Sequence, residues 1–123
     1  LMLDYRGYVA EGPAENLFLV KRGRLITPSS MSALHGITRD TILKLSKDIG
    51  VQPYEKSVTL EEAKNADELF YCGTMMEIAP ITSINGKAIG KGKPGKLTSE
   101  IQKKFYEVVR GNDRKYKKWI SYV

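Results

Sequence analysis

The twelve residues NLFLVKRGRLIT, at positions 16–27, indicate the fold most directly. Two apolar runs, 16–20 and 24–27, flank Lys21-Arg22-Gly23. A glycine between two such runs is typical of a β-hairpin, because glycine readily adopts the positive φ that a tight turn requires. The stretch therefore predicts two antiparallel strands joined by a short turn.

Helical patterns follow the hairpin. Apolar side chains at positions 37, 42, 45 and 49 recur near helical spacing and predict a helix that begins near 36–38 and ends at Gly50. Thr59 and Glu62 form a capping-box pattern, which predicts a brief helix to about residue 65. Thr98 is the predicted N-cap of a last helix that ends at Gly111. The apolar stripe of that helix consists of Ile101, Phe105, Val108 and Val109.

Extended segments lie between these helices. Residues 1–9, 51–58, 68–72 and 77–83 have strand-like patterns, and Asn85-Gly86 is a strong signal for a tight turn. Because hairpins are mixed with an imperfect alternation of strands and helices, we expect an α/β domain with a mixed sheet.

Length and composition agree with one globular domain. The chain has 123 residues, of which 41% are hydrophobic, and this excludes general disorder. No stretch approaches the roughly 18 apolar residues of a membrane span. Cys72 is the one cysteine, so an internal disulfide is excluded and a cytoplasmic location is expected. We expect no signal peptide, and the start at Leu1-Met2 suggests part of a longer protein.

The net charge of +6 is unevenly distributed. Residues 1–85 carry a net charge of −2 and residues 86–123 a net charge of +8. Lysines interleaved with aromatic residues at 114–119 could bind a polyanion such as single-stranded nucleic acid. No nucleic-acid-binding motif accompanies the charge, so a solvated helix face with a frayed terminus is the favoured interpretation.

Three short segments carry groups suited to chemistry. Residues 11–16, EGPAEN, place two carboxylates and an amide on a bent loop that enters an apolar strand. Residues 32–40, SALHGITRD, place a glycine and a hydroxyl at a helix start, where free N–H groups favour an anion such as phosphate. Residues 72–74, CGT, repeat the glycine and hydroxyl at a strand end. Together they would suit a phosphorylated cofactor that also carries a cationic group.

Taken singly, each segment has an ordinary structural explanation. A helix cap accounts for Gly36 to Thr38, and a common turn accounts for Gly73-Thr74. His35 is interpreted as a loop residue and Cys72 as a small core residue. No metal site is expected, since one histidine and one cysteine cannot form a ligand cluster.

In this order, however, the segments resemble a known family. The runs EGPAENLFLVKRGRLITP, SALHGITRD and CGTMMEIAPITSINGKAIG resemble the C-terminal part of the fold-type IV pyridoxal-phosphate enzymes, most closely the branched-chain amino-acid aminotransferases. The final GKPGKLTSEIQKKFYEVVRG is similar to the closing helix of that family. The resemblance implies a partly barrel-like mixed sheet with flanking helices. It divides the chain into a cofactor domain, 1–111, and a basic, aromatic tail, 112–123.

The resemblance also implies site residues. Glu11 matches the carboxylate that pairs with the pyridine nitrogen of pyridoxal 5'-phosphate, with Glu15 and Asn16 supporting it. The ring and phosphate would be held by Leu34, Gly36, Ile37, Thr38 and Thr74. The substrate carboxylate would face the turn of Gly73, Thr74 and Met75. Met75-Met76 stand where the family usually has small residues, which leaves the preferred amino acid open.

The family's Schiff-base lysine lies upstream of the Glu11 motif, and no lysine precedes Glu11 here. The resemblance therefore implies a parent enzyme, a dimer or larger, that transfers the amino group of leucine, isoleucine or valine to 2-oxoglutarate. The chain alone is expected to be inactive. A D-amino-acid transaminase or an aminodeoxychorismate lyase of the same fold remains an alternative. We expect small-molecule substrates and neither nucleic acid nor membrane as a partner.

Overall fold

A computed structural model describes residues 1–29, 31 and 33–121. The strands are β1 (Tyr8–Val9), β2 (Asn16–Lys21), β3 (Arg24–Pro28), β4 (Pro53–Lys56), β5 (Val58–Thr59), β6 (Glu68–Gly73), β7 (Glu77–Pro80), β8 (Ser83–Ile84) and β9 (Lys87–Ala88). The helices are α1 (Ile37–Asp48), α2 (Leu60–Lys64) and α3 (Lys96–Val109), followed by a C-terminal 3₁₀ helix, Arg114–Trp119. Ser30, Ser32 and the last two residues of the predicted tail, Tyr122 and Val123, lie outside the described residues.

The main sheet has five strands in the order β4-β3-β2-β6-β7. The predicted hairpin is confirmed, with Lys21 paired to Arg24 across the β2–β3 turn. β2 also pairs antiparallel with β6, whereas β3 pairs parallel with β4, so the sheet is mixed as expected. Within the described residues the sheet is open, with β4 and β7 at its edges, and the expectation of a partly barrel-like sheet is corrected to that extent.

Both faces of the sheet are covered, and β2 shows why its sequence is continuously apolar. Phe18 and Val20 face a core formed with α1 and α3, where Phe18 stacks on Phe70 at 5.2 Å between ring centroids. Leu17 and Leu19 face a second core formed with β5 and α2. Because alternate side chains of a strand point to opposite faces, a strand buried on both sides needs apolar residues at every position.

Helix α1 begins and ends as predicted, with Gly50 at φ +77° after its last turn. The predicted buried face was partly wrong, because Ile37 is 86% exposed. The residues that α1 buries are Arg39, Ile42, Leu45 and Ser46. Ile37 is five residues before Ile42, which places it about 140° around the helix axis from that buried face.

The start of α3 also differs from its prediction. The helix begins at Lys96 with Gly95 as N-cap, and Thr98 lies buried within the first turn. Its amide and hydroxyl both donate to the Glu68 carboxylate, so a side chain from β6 caps the helix. Val109, predicted to be part of the apolar stripe, is 41% exposed. The predicted end at Gly111 is confirmed by its φ of +73°.

Two predicted strands are each divided in the structure. Residues 51–58 contain β4 and the start of β5, and residues 77–83 contain β7 and the start of β8. The capping box of Thr59 and Glu62 is confirmed at the start of α2, and Asn85-Gly86 forms the turn between β8 and β9.

The expectation of a frayed terminus is wrong for the part of the tail that the structure describes. Tyr116 is buried in the same core as Phe18. Its hydroxyl donates to Asp48 at 2.6 Å, and its ring lies 4.3 Å from that of Trp119. The C-terminal 3₁₀ helix therefore packs along α1.

Candidate functional site

The three segments singled out in the sequence meet in one cleft of about 410 Å³. Its lining comes from residues 11 and 13–16, residues 34–38, and residues 72–74. The first group precedes and opens β2, the second leads into α1, and the third ends β6. β2 and β6 are paired neighbours, with Asn16 opposite Cys72, and this pairing brings the first and third segments together.

Glu11 is held from two directions. Its backbone carbonyl accepts a hydrogen bond from the Met2 amide at 2.8 Å. Its Oε2 accepts from the Leu34 amide at 2.9 Å and from Asn16 Nδ2 at 3.1 Å. Both donors bind the same oxygen, so the direction of the carboxylate is fixed at the cleft that Glu11 lines.

Asn16 connects the strand, the carboxylate and the loop before α1. Its buried amide donates from Nδ2 both to Glu11 and to the Leu34 carbonyl, at 2.9 Å for the latter. A Cβ at Gly36 would overlap Asn16 Oδ1, so the backbone there lies directly against the amide. Asn16 is thus bonded to the Glu11 carboxylate, and its supporting role at a cofactor site stays a prediction.

Glu15 forms its hydrogen bonds within its own loop. Its Oε2 accepts from the neighbouring Ala14 amide at 3.2 Å, and its backbone carbonyl accepts from Gly12 at 2.7 Å. Its carboxylate also raises the pKa of Tyr71, after the larger effect of burial. Among the described residues, no hydrogen bond joins Glu15 to the Glu11 side chain, and its predicted support of Glu11 stays a prediction.

The start of α1 and the turn after β6 contribute hydrogen-bond donors to the same cleft. Gly36 is the N-cap of α1 and has no side chain to occupy the first amides of the helix. Ile37 and Thr38 follow it along the cleft. Gly73 and Thr74 line the same cleft, and a Cβ at Gly73 would lie 3.2 Å from the Ala14 carbonyl. The positive end of the α1 dipole therefore lies at a cleft that Thr38 and Thr74 also line, which suits an anion.

The turn after β6 carries the residues predicted to face the substrate. Gly73 and Thr74 line the cleft. The Met75 side chain is 97% exposed and is not among the cleft-lining residues. The role of this turn toward a substrate carboxylate stays a prediction.

Cys72 and His35 lie where the sequence suggested. Cys72 is fully buried at the cleft wall, and burial raises the pKa of its thiol to about 12, against a smaller lowering effect of Arg39. The thiol is therefore not a nucleophile near neutral pH. His35 is exposed at the cleft edge.

Arg39 and Leu34 contribute more than sequence reasoning predicted. The Leu34 backbone amide binds Glu11, an interaction that leaves no trace in side-chain identity. Arg39 is 2% exposed and forms an ion pair with Glu55 at 2.7 Å. Its position three residues before Ile42 and six before Leu45 was the available signal, because that spacing places it on the buried face.

Among the described residues, no group of three histidine, cysteine, aspartate or glutamate side chains could hold a metal ion. None of the helices in that part of the chain is long and apolar enough to cross a membrane.

The family model described as amino-transferase class IV matches residues 1–84. The chain belongs to the class IV aminotransferase family. Among its relatives, the branched-chain-amino-acid aminotransferases of Pseudomonas aeruginosa PAO1 and Escherichia coli K12 are each 42% identical over the whole chain. The chain spans about 40% of the length of each.

Solved structures of this family agree with the fold. A branched-chain amino acid aminotransferase from T.th., complexed with N-(5'-phosphopyridoxyl)-L-glutamate, aligns with a TM-score of 0.97 at 37% identity. The alignment covers 99% of this chain and 42% of that one. The Thermobaculum terrenum enzyme in its PLP-form aligns with a TM-score of 0.95 at 40% identity, covering 98% of this chain and 40% of that one. The mixed α/β fold of the chain is that of these aminotransferases.

Proposed function

We propose that this chain holds pyridoxal 5'-phosphate in the cleft, as part of a transaminase for branched-chain amino acids. The observation that carries the proposal is the cleft itself, which a fixed carboxylate, the start of α1 and two threonines line together. A ligand with a protonated ring nitrogen and a phosphate matches this combination of an acceptor and an anion-binding helix start.

Glu11 would hold the proton on the ring nitrogen. A fixed anion beside a heteroaromatic nitrogen raises the pKa of that nitrogen and favours its protonated form. Asn16 and the Leu34 amide keep the Glu11 carboxylate aimed at this position. When bound, pyridoxal phosphate supplies an electron sink for the carbanion at the amino-acid Cα.

Thr38, Thr74 and the first amides of α1 would hold the phosphate. Thr38 lines the cleft from the start of α1, and Thr74 lines it from the turn after β6. Leu34 and Ile37 are largely exposed at the cleft, and would pack against the cofactor ring or against further protein. Such exposed apolar residues are consistent with the assembly of the longer protein as a dimer or larger.

The substrate class rests on the relatives. Those named above are branched-chain aminotransferases, which supports leucine, isoleucine or valine as amino donor and 2-oxoglutarate as acceptor. The catalytic lysine would come from a part of the longer protein outside this sequence. Assays of that protein with L-leucine, D-alanine and aminodeoxychorismate would separate the transaminase from the two alternatives of the same fold. Activity on D-alanine or aminodeoxychorismate alone would overturn the substrate assignment.

The cofactor assignment can be tested on the chain itself. Pyridoxamine 5'-phosphate lacks the aldehyde that reacts with surface lysines, so its titration followed by amide chemical shifts reports the cleft. We expect shifts at Thr38 and Gly73, and about tenfold weaker binding by Glu11→Gln, because the charge-assisted bond to the ring nitrogen is lost. Glu100→Gln is the matched control, since Glu100 lies on α3 and does not line the cleft. Equal weakening by both variants, or no binding, would contradict the assignment. We also expect the chain alone to show no turnover of L-leucine.

A further inference from the structure

Arg39 is the largest side chain that the described part of the molecule buries completely. It is the third residue of α1, directly after Ile37 and Thr38. Its Nη2 donates to the Pro28 carbonyl at 3.3 Å and to Glu55 Oε2 at 2.7 Å. The guanidinium therefore ties the first turn of α1 to the end of β3 and to β4.

The positive charge of Arg39 is only partly compensated. Glu55 is 46% exposed, so water screens this ion pair from its outer side. Asp40 Oδ1 is 3.9 Å from Nη1, and its side chain is also largely exposed. Arg39 Nε is buried and has no hydrogen-bond partner among the described residues. A buried cation with such partners retains a positive field in the protein around it.

The charge of Arg39 and its hydrogen bonds both lie next to the cleft. The Arg39 Cβ is 3.6 Å from where a Cβ of Gly36 would lie, so its side chain departs from the base of the phosphate-facing turn. The charge also lowers the pKa of the Cys72 thiol at the cleft wall, opposing the larger effect of burial. Arg39 is thus connected to the cleft by contact and by electrostatics.

We propose that Arg39 is a positioning residue for the phosphate group, an inference that rests on the proposed cofactor site. It fixes the direction of the first α1 amides by bridging Pro28 and Glu55, and its buried charge adds to the positive end of the helix dipole. The side chain does not line the cleft, so it acts through Ile37 and Thr38.

Arginine suits this role better than lysine. Its planar guanidinium presents several N–H donors in a rigid arrangement, which lets one side chain bond a carbonyl and a carboxylate together. A lysine ammonium in the same position keeps the charge but holds the two acceptors less rigidly. Comparing Arg39→Lys with Arg39→Gln therefore separates the anchoring contribution from the contribution of charge.

The test titrates the chain with inorganic phosphate, pyridoxamine 5'-phosphate and pyridoxamine, following the Thr38 amide shift. We expect Arg39→Gln to weaken both phosphate-bearing ligands by about tenfold and pyridoxamine by no more than about twofold. Arg39→Lys should weaken the same two ligands by less. The matched control is Arg24→Lys, an exposed arginine at the start of β3 that should leave all three affinities unchanged.

Equal weakening of all three ligands in a folded Arg39→Gln chain would show a merely structural role and overturn the inference. If Arg39→Gln does not fold, Glu55→Asp becomes the deciding variant, because it keeps the negative charge beside Arg39 but shortens the side chain that anchors the guanidinium. It should weaken phosphate relative to pyridoxamine by about threefold, and an unchanged ratio would overturn the inference. If the unsubstituted chain binds none of the ligands, the proposed cofactor site itself fails.

Discussion

At the scale of single residues, one side chain, that of Asn16, holds two of the cleft-lining segments together. Asn16 uses one amide nitrogen to hold both the Glu11 carboxylate and the Leu34 carbonyl, so the strand and the loop before α1 meet at one residue. Gly36 makes this contact possible because it has no Cβ, which would overlap Asn16 Oδ1. Its φ of −71° is one that any residue adopts, so the glycine is not needed for its backbone conformation. At this scale, the effect of a substitution depends on whether the new side chain fits and on which side chains are protonated.

Gly36→Ala should destabilise the chain by about 1–3 kcal/mol, because its Cβ would overlap Asn16 Oδ1 and force the loop away from β2. Urea unfolding followed by circular dichroism measures this cost. In an Asn16→Ala background, which removes the obstructing amide, the same substitution should cost clearly less. Equal costs in both backgrounds would contradict the contact.

Cys72 should resist thiol reagents in the folded chain. The side chain is fully buried and burial raises its pKa to about 12, so at about pH 8 neither access nor thiolate is available. A colorimetric thiol assay should detect the cysteine only after urea is added. Rapid stoichiometric labelling of native protein would contradict this burial.

The same group links stability to alkaline pH. The thiol titrates at its ordinary pKa of 9.0 when unfolded and at a pKa of about 12 when folded, so the folded state retains the proton longer. The stability from the neutral thiol is complete below about pH 9 and decreases by about 1.4 kcal/mol per pH unit above it. Because lysines and tyrosines also titrate there, the measurement is the difference in slope between this chain and Cys72→Ala. Parallel slopes would contradict the shift.

At the scale of elements, helix starts are stabilised in two ways. α2 carries its own cap, since the Thr59 hydroxyl accepts from the Glu62 amide. α3 has Gly95 at its N-cap and relies on Glu68, whose carboxylate accepts from the amides of Leu97 and Thr98. A Cβ at Gly95 would overlap the Glu68 side chain, so the glycine leaves room for this tertiary cap.

Glu68→Ala should therefore lower the free energy of unfolding by about 1–2 kcal/mol, as the loss of a helix cap does. Thermal unfolding followed by circular dichroism measures it. Glu100→Ala is the control on the same helix, where the carboxylate is half-exposed and 3.9 Å from Lys96, and it should change stability by less than about 0.5 kcal/mol. A similar loss in both variants would contradict the capping role.

On the scale of the whole molecule, the C-terminal 3₁₀ helix joins the end of the chain to the core. Tyr116 and Lys115 both donate to Asp48 at the end of α1, and these bonds lower the pKa of that carboxyl, the Lys115 bond most. The ring of Trp119 lies against Tyr116, with Lys44 Nζ 5.3 Å from its centroid. Basic residues that sequence patterning assigned to a solvated face thus take part in tertiary contacts.

Tyr116→Phe should keep the ring packing but lose the hydrogen bond to Asp48, at a cost of about 1 kcal/mol. Trp119 is the one tryptophan, so its fluorescence reports this segment. Because the folded pKa of Asp48 is depressed, the stability from this contact is present above the ordinary value of 3.8 and is lost as pH decreases below it. Lys117→Ala, an exposed site on the same 3₁₀ helix, should leave the fluorescence transition unchanged. An acid transition that Tyr116→Phe does not alter would contradict the contact.

Local chemistry determined much of the architecture from the sequence alone. The β2–β3 hairpin, the Thr59–Glu62 capping box and the helix ends at Gly50 and Gly111 each depend on residues within a few positions of one another. Such interactions are encoded by adjacent residue types, so spacing and propensity suffice to predict them. The three cleft segments were identifiable only in combination and in their order, because each one alone is explained equally well by a helix cap or a common turn.

Tertiary structure decided which of these groups act together. The Leu34 amide on Glu11, Glu68 at the start of α3, Arg39 buried beside Pro28 and Tyr116 packed against α1 each join residues distant in sequence. A hydrogen bond or a buried charge of this kind depends on the packing that brings its two partners together and removes water from them. No local pattern encodes that packing, so the sequence alone determined the elements and the structure determined the partners of their side chains.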